Sequence, residues 1–170
     1  LSASVQALRS NPPMANSAVD GFGFCHDDLP DGKIIEVPIQ SGTAAAGKPY
    51  DGRVEAGKAL RILTGAVLPD GVDTVVLEED VVVNKTKIAF RPGLRLGANV
   101  RRAAEDVASG KNIFAAGHVL QPQDIALLAA TGVHQVNVYK RLNVAVISTG
   151  TELVPVGHAA RDDQIFDANK

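Results

Sequence analysis

Glycine and proline interrupt this chain so often that no long regular element fits between them. There are 16 Gly and 9 Pro among 170 residues, aromatic residues make up 4%, and Trp is absent. Such a chain must build its core from Val, Ile, Leu and Ala, in short elements joined by turns. That favours a strand-rich, loop-rich architecture over a helix bundle. Apolar residues at 45% and charged residues at 21% are ordinary for a folded chain. The length suffices for one ordinary domain or two small ones.

Charge and cysteine content exclude several classes of function. Seventeen Lys+Arg against nineteen Asp+Glu leave a net charge of -2, without the basic excess of a nucleic-acid binder. The single Cys25 can form neither an internal disulfide nor a cysteine metal cluster. His26, His118, His134 and His158 have no metal-ligand spacing. Ser109-Gly110-Lys111 is like the end of a phosphate loop, but Glu105 stands where the earlier glycine is required. No Gly-x-Ser-x-Gly elbow occurs. No apolar run approaches the roughly 20 residues of a membrane span, and no charged-then-apolar leader opens the chain. The expectation is a soluble, cytoplasmic protein with no nucleic-acid or membrane partner.

Turn signals divide the rest. Residues 1–9 fit the end of a helix or a strand, stopped at Asn11-Pro12-Pro13. Asp20-Gly21 opens a strand through Phe24, and residues 33–39 alternate like another. Residues 41–47 fit a loop or a short helix. Leu60-Arg61-Ile62-Leu63 reads as a strand running into Thr64-Gly65, and Pro69-Asp70-Gly71 is a turn. Thr74-Val75-Val76-Leu77, Val81-Val82-Val83 and Lys87-Ile88-Ala89-Phe90 are β-branched strands, the last two joined by a turn at Asn84-Lys85. Gln121-Pro122-Gln123-Asp124 starts a helix that Gly132 ends, and Val133, Val136 and Val138 fit a following strand. Val144-Ala145-Val146-Ile147 is a continuous apolar run suited to a strand covered on both faces. Few residues follow it, and Asp167-Ala168-Asn169 looks like a helix cap without its helix, so the chain is expected to be a fragment.

Several polar groups fall at ends of these elements. Asp20 sits at a glycine turn, where an Asx-turn is the plain alternative to a site. Thr64 is a hydroxyl beside glycine at a strand end. Glu105 and Asp106 follow Arg101 and Arg102, an arrangement that is either solvated surface or an anion site. Ser148, Thr149, Gly150 and Glu152 lie just past the apolar run, where open α/β sheets bind ligands.

Taken in order, these motifs resemble a known family. Asn16-Ser17-Ala18-Val19-Asp20-Gly21-Phe22, Arg61-Ile62-Leu63-Thr64-Gly65-Ala66 and Asp70-Gly71-Val72-Asp73-Thr74-Val75-Val76 are similar to segments of the molybdopterin molybdenumtransferases, the MoeA family that includes the E domain of gephyrin. Asn99-Val100-Arg101-Arg102 with Glu105-Asp106, Val146 through Leu153, and Gln164-Ile165-Phe166-Asp167 continue the likeness. The resemblance implies a mixed α+β, β-rich fold, with a MoeA N-terminal-region-like β domain, a mixed linking domain and the first strand of a truncated α/β molybdopterin-binding domain. The expected divisions are 1–103, 104–140 and 141–170.

It also implies an enzyme of molybdenum cofactor biosynthesis. Such an enzyme inserts molybdate into adenylylated molybdopterin, releases AMP, uses Mg²⁺, and acts as a homodimer with molybdopterin adenylyltransferase as pathway partner. The residues carried over are Asp20, Thr64, Asp106 and Glu152 as catalytic groups, and Arg101, Ser148, Thr149 and Gly150 as substrate contacts; the metal ligands stay open. A non-catalytic, dimerising interaction scaffold of the gephyrin type is the alternative. The chain departs from the family pattern at Val19, Ala104, Thr151 and Asp163, where Met, Gly, Asp or Asn, and Gly are usual.

Overall fold

The computed structural model describes residues 1–168. The described chain is mixed α+β and largely β, as expected. It divides into two compact units, Leu1–Asn137 and a second one from Val138 on.

The first unit is built around a curled six-stranded sheet. In chain order its first strands are β1 (Val5–Gln6), β2 (Asn16–Ser17), β3 (Gly21–Phe24), β4 (Ile35–Ala44), β5 (Ala59–Ile62) and β6 (Thr74–Leu77). They are followed by β7 (Val82–Asn84), β8 (Lys87–Phe90), β9 (Val100–Arg101), β10 (Asn112–Phe114) and helix α1 (Pro122–Ala130). The large sheet runs β6-β3-β5-β4-β8-β7, and the pairs β1-β10 and β2-β9 stand beside it.

Alternation along the strands makes two apolar layers. Phe22, Phe24, Ile35, Val37, Ile88 and Phe90 form one, with Phe24 and Phe90 stacked at 5.5 Å. Leu60, Ile62, Ala44, Val54, Ala66 and Val75 form the other. In the Gly-Phe-Gly-Phe sequence of β3 the aromatic rings thus share one layer, and the glycines let strands approach closely on the opposite side.

Strand β4 answers the ambiguity of residues 41–47, which are neither helix nor free loop up to Ala44. Its first half pairs antiparallel with β8, and its second half pairs parallel with β5 across a bulge. The loop joining these parallel strands is held by the Gln40 amide, which donates to the Tyr50 hydroxyl and to the Arg53 carbonyl, both at 2.9 Å. Its oxygen accepts from the Glu55 N–H at 2.9 Å. The exposed edge of β6 is covered by a loop. Val75 N–H donates to the Ala98 carbonyl at 3.0 Å, and the Asn99 amide donates to the Val75 carbonyl at 2.9 Å. The hairpin turn between β7 and β8 falls at 85–86, one residue later than its sequence signal, with Lys85 at φ 44°.

Helix α1 starts with Pro122, as its sequence requires. Asp124 accepts from the Gln121 N–H at 2.8 Å, and its Oδ2 lies 2.7 Å from His118 Nε2. Gly132, at φ 80°, ends the helix, and Thr131 closes it by donating its hydroxyl to the Leu127 carbonyl at 2.8 Å. No helix among the described residues is long and apolar enough to cross a membrane.

These contacts give α1 a pH dependence. The Gln121 N–H first, and His118 second, hold the Asp124 carboxyl below its ordinary 3.8. A depressed carboxyl contributes stability above its unfolded value and loses it as pH falls through the folded one. Helix protection in hydrogen exchange should therefore fall as the pH drops below about pH 4. Asp124→Asn should remove that fall.

Two sequence expectations are corrected. Residues 133–138 form no strand, although the Asn137 carbonyl accepts from the Ser2 N–H at 2.9 Å. The apolar run of Val144, Val146 and Ile147 is also not a strand, and these side chains are exposed. A strand covered on both faces needs partners on either side, and no described strand pairs with this run. The second unit instead holds β11 (Leu153–Val154) and β12 (Ile165–Phe166), paired parallel. The cap expected at Asp167-Ala168-Asn169 extends beyond the described residues.

Candidate functional site

Asp20 and Thr64 are 44 residues apart in sequence and touch in the fold. Pairing of β3 with β5 sets Gly21 opposite Ile62, so the residue before β3 meets the turn after β5. Thr64 donates twice to Asp20 Oδ1, from its N–H at 2.7 Å and from its hydroxyl at 2.6 Å. The Thr64 hydroxyl, then its N–H, holds the Asp20 carboxyl below the usual carboxylate range. Asp20 Oδ2 accepts no hydrogen bond among the described residues. Both side chains lie at the solvent-exposed rim. The result is an ionised carboxylate fixed through one oxygen and open at the other.

Sequence reasoning missed two groups beside it. Arg61 donates to Glu78 Oε2 at 2.6 Å, and its guanidinium sits 5.3 Å from the centre of the Phe22 ring. Glu78 in turn donates its N–H to the Asp20 carbonyl at 3.0 Å. The only advance signal was an arginine alternating with buried Leu60 and Ile62 along β5.

Arg101, Glu105 and Asp106 make a second acid group. Arg101 reaches Asp106 at 2.6 Å and Glu105 at 3.2 Å, while Glu105 also accepts from the Arg102 N–H at 2.9 Å. Asp106 raises the Arg101 pKa most, with Glu105 second. Asn11, another residue the sequence did not single out, donates its side-chain amide to Asp106 at 3.0 Å. Its carbonyl accepts from the N–H groups of Asp106 and Val107 at 3.0 and 3.1 Å.

Strand β2 joins the two groups. Ser17 donates its N–H to the Ala66 carbonyl at 3.0 Å and accepts from Gly65 at 2.8 Å, just beyond Thr64. On its other side Ser17 and Asn16 stand opposite Val100 and Arg101 of β9.

Ala104 explains one departure from the family pattern. It adopts φ 59°, the left-handed region that favours glycine, and its N–H is tied to the Pro12 carbonyl at 2.8 Å. The loop thus keeps the backbone of a glycine while bearing a methyl group. Ala104→Gly should stabilise the protein by about 1 kcal/mol, raising the melting temperature by a few degrees. A lower melting temperature would show that the methyl group packs usefully. Asp163, another departure, is paired with Arg161 at 2.9 and 3.1 Å.

Ser148, Thr149, Gly150 and Glu152 all lie in the second unit. Ser148 and Gly150 line a cavity of about 390 Å³ with Leu153, Val154, Pro155, Val156 and Asp167. The Ser148 hydroxyl is buried there without a hydrogen-bond partner among the described residues. Glu152 folds back on Gly150, where a Cβ would stand 2.6 and 2.7 Å from its carboxylate oxygens.

Among the described residues no group of three or more His, Cys, Asp or Glu is placed to hold a metal ion. Cys25 is half-buried, and burial raises its thiol pKa, which does not suit a nucleophile.

Comparison with known proteins gives the family and supports the fold. A family model described as "MoeA N-terminal region (domain I and II)" matches residues 1–132. A molybdopterin molybdenumtransferase of Haemophilus influenzae is 37% identical over 94% of this chain and 39% of its own length. One from Synechococcus elongatus is 36% identical over 85% of this chain and 36% of its own. The crystal structure of a molybdopterin biosynthesis MoeA protein from Pyrococcus horikoshii superimposes with a TM-score of 0.81 at 30% identity, covering 99% of this chain and 44% of that one. The chain thus spans well under half the length of the relatives it matches. By motif order, strand architecture and family match together, the chain belongs to the MoeA family.

Proposed function

We propose that this chain serves molybdenum cofactor biosynthesis as part of a molybdopterin molybdenumtransferase that inserts molybdate into adenylylated molybdopterin and releases AMP. The observation that carries the reading is Asp20, an ionised carboxylate held by Thr64 with one oxygen free. Cleaving the adenylyl phosphoanhydride requires an oxygen nucleophile at phosphorus, rupture of the P–O bond to the molybdopterin phosphate, and release of AMP. Such chemistry depends on positioning and electrostatics more than on a covalent nucleophile.

In this reading Asp20 orients the nucleophile or takes up its proton, and Thr64 accepts a hydrogen bond from substrate. Arg101 balances phosphate charge through the Nη1 group that Glu105 and Asp106 leave unused. Asp106 and Glu152 place water, and Ser148, Thr149 and Gly150 bind the pterin substrate. Single carboxylates suit Mg²⁺ when phosphate oxygens and water complete its shell. Asp20 is the group that would hold it through the open oxygen, in which case Asp20 orients the nucleophile and does not take up its proton, and the ion would supply charge neutralisation at the phosphates. The enzyme works as a cytoplasmic homodimer and receives its substrate from molybdopterin adenylyltransferase.

The test uses the complete enzyme with adenylylated molybdopterin and Mg²⁺, with and without molybdate. AMP release that depends on molybdate is expected. An intact dimer that releases no AMP under either condition would assign the scaffold role instead.

A further inference from the structure

The arrangement around β5 assigns a role to Arg61 that no motif gave it. Arg61 stands opposite Phe22 in the β3-β5 ladder, so both side chains leave the same face of the sheet. The Phe22 ring is buried, and the guanidinium lies over it at 5.3 Å, within the range of a cation–π contact. Glu78 fixes the guanidinium laterally at 2.6 Å. A planar group held by a ring beneath and a carboxylate beside has little freedom left.

Glu78 also connects this clamp to Asp20. Leu77 stands opposite Gly21 in the β3-β6 ladder, and the next pair outward is Glu78 with Asp20, joined through the Glu78 N–H at 3.0 Å. Two carboxylates therefore stand as cross-strand neighbours, an arrangement that is unfavourable without a cation. Arg61 is that cation. Asp20, Arg61 and Glu78 are the charged groups that act on one another at this corner.

We infer that Arg61, clamped between Phe22 and Glu78, is a positioning residue that offsets the Glu78 charge beside Asp20 and so keeps the Asp20 carboxylate in its Thr64-bonded orientation. This rests on the reading of Asp20 as the working carboxylate. Glu78 supports Arg61. The electrostatics agree in direction: the Arg61 hydrogen bond is the main cause that lowers the Glu78 carboxyl, and at Asp20, where the Thr64 bonds act most, Arg61 adds the smallest contribution of the same sign.

The test combines a titration and a rate in the complete enzyme. Arg61→Met keeps the apolar stem over Phe22 and removes the charge, while Arg61→Lys keeps the charge and loses the planar fork. With ¹³C-labelled aspartate, the Asp20 carboxyl should titrate at higher pH in Arg61→Met than in the wild type, and near the wild-type value in Arg61→Lys. AMP release by Arg61→Met should fall about tenfold in kcat with KM within about twofold, and Arg61→Lys should recover most of the loss. A merely structural arginine would lower the melting temperature and leave the Asp20 titration where it was, which overturns the inference. Asp20→Asn separates the two levels. If that variant releases AMP normally, the reading of Asp20 itself fails. If it is inactive while Arg61→Met keeps both titration and rate, only the role of Arg61 fails.

Discussion

Gly21→Ala is expected to destabilise the protein by about 3 kcal/mol, the largest effect of any single methyl group discussed for this fold. A Cβ at Gly21 would stand 1.9 Å from the Val76 carbonyl oxygen, 2.9 Å from its carbon and 3.3 Å from the Glu78 nitrogen. All three are backbone atoms, so no side-chain rotation relieves the overlap. The only escape is to part β3 from β6, which opens both apolar layers. A melting temperature lower by roughly 10 °C is the expected reading, from the usual conversion for a domain of this size. The same change should disturb Asp20, whose carbonyl accepts from the Glu78 N–H. A variant melting within 2 °C of the wild type would mean that the strands separate more cheaply than their ladder implies.

Asp20→Asn should lower AMP release by the complete enzyme about 100-fold, in the range for a lost acid–base group. The substitution preserves shape. An asparagine oxygen can still accept from the Thr64 N–H and hydroxyl, so the turn should survive and the melting temperature should change little. What disappears is the negative charge at the open oxygen. Because the Thr64 bonds depress the Asp20 carboxyl, the wild-type group is ionised across neutral and mildly acid pH. The acid limb of its rate profile should therefore lie below the ordinary carboxylate value, and it should move up in Thr64→Val, where the hydroxyl donor is gone. Single-turnover rates with a thermal melt as control decide the matter. Normal turnover by Asp20→Asn would remove Asp20 from the mechanism.

The local fold was legible where side-chain chemistry and turn chemistry agreed. Thr74 to Leu77 and Lys87 to Phe90 were readable as strands because β-branched or alternating residues were bounded by strong turns. Pro122 and Asp124 marked the start of α1, and Gly132 marked its end. Pairing was not legible. Nothing in residues 41–44 announces that β4 changes partner halfway, since that depends on β8 and β5 being available on its two sides. Val144 to Ile147 misled for the same reason: apolar continuity reports a capacity for burial, and burial requires neighbours.

The site was legible as a set of residues more than as an arrangement. Asp20 and Thr64 each looked like an ordinary turn residue until β3 met β5. Arg61, Glu78 and Asn11 were invisible because each acts through a partner distant in sequence. Ala104 was different: the family pattern marked that position before its backbone angle was known, and φ 59° gives the physical reason.

The seam at Asn16 and Ser17 has a mechanical consequence. Two residues carry the bonds to Ala66 and Gly65 on one side and the β9 pairing on the other. That short splice is one route by which play in the Arg101 loop reaches Thr64, beside the bonds that join Ala98 and Asn99 to Val75 of β6. The two acid groups therefore hang from one short strand, the shortest physical link between them.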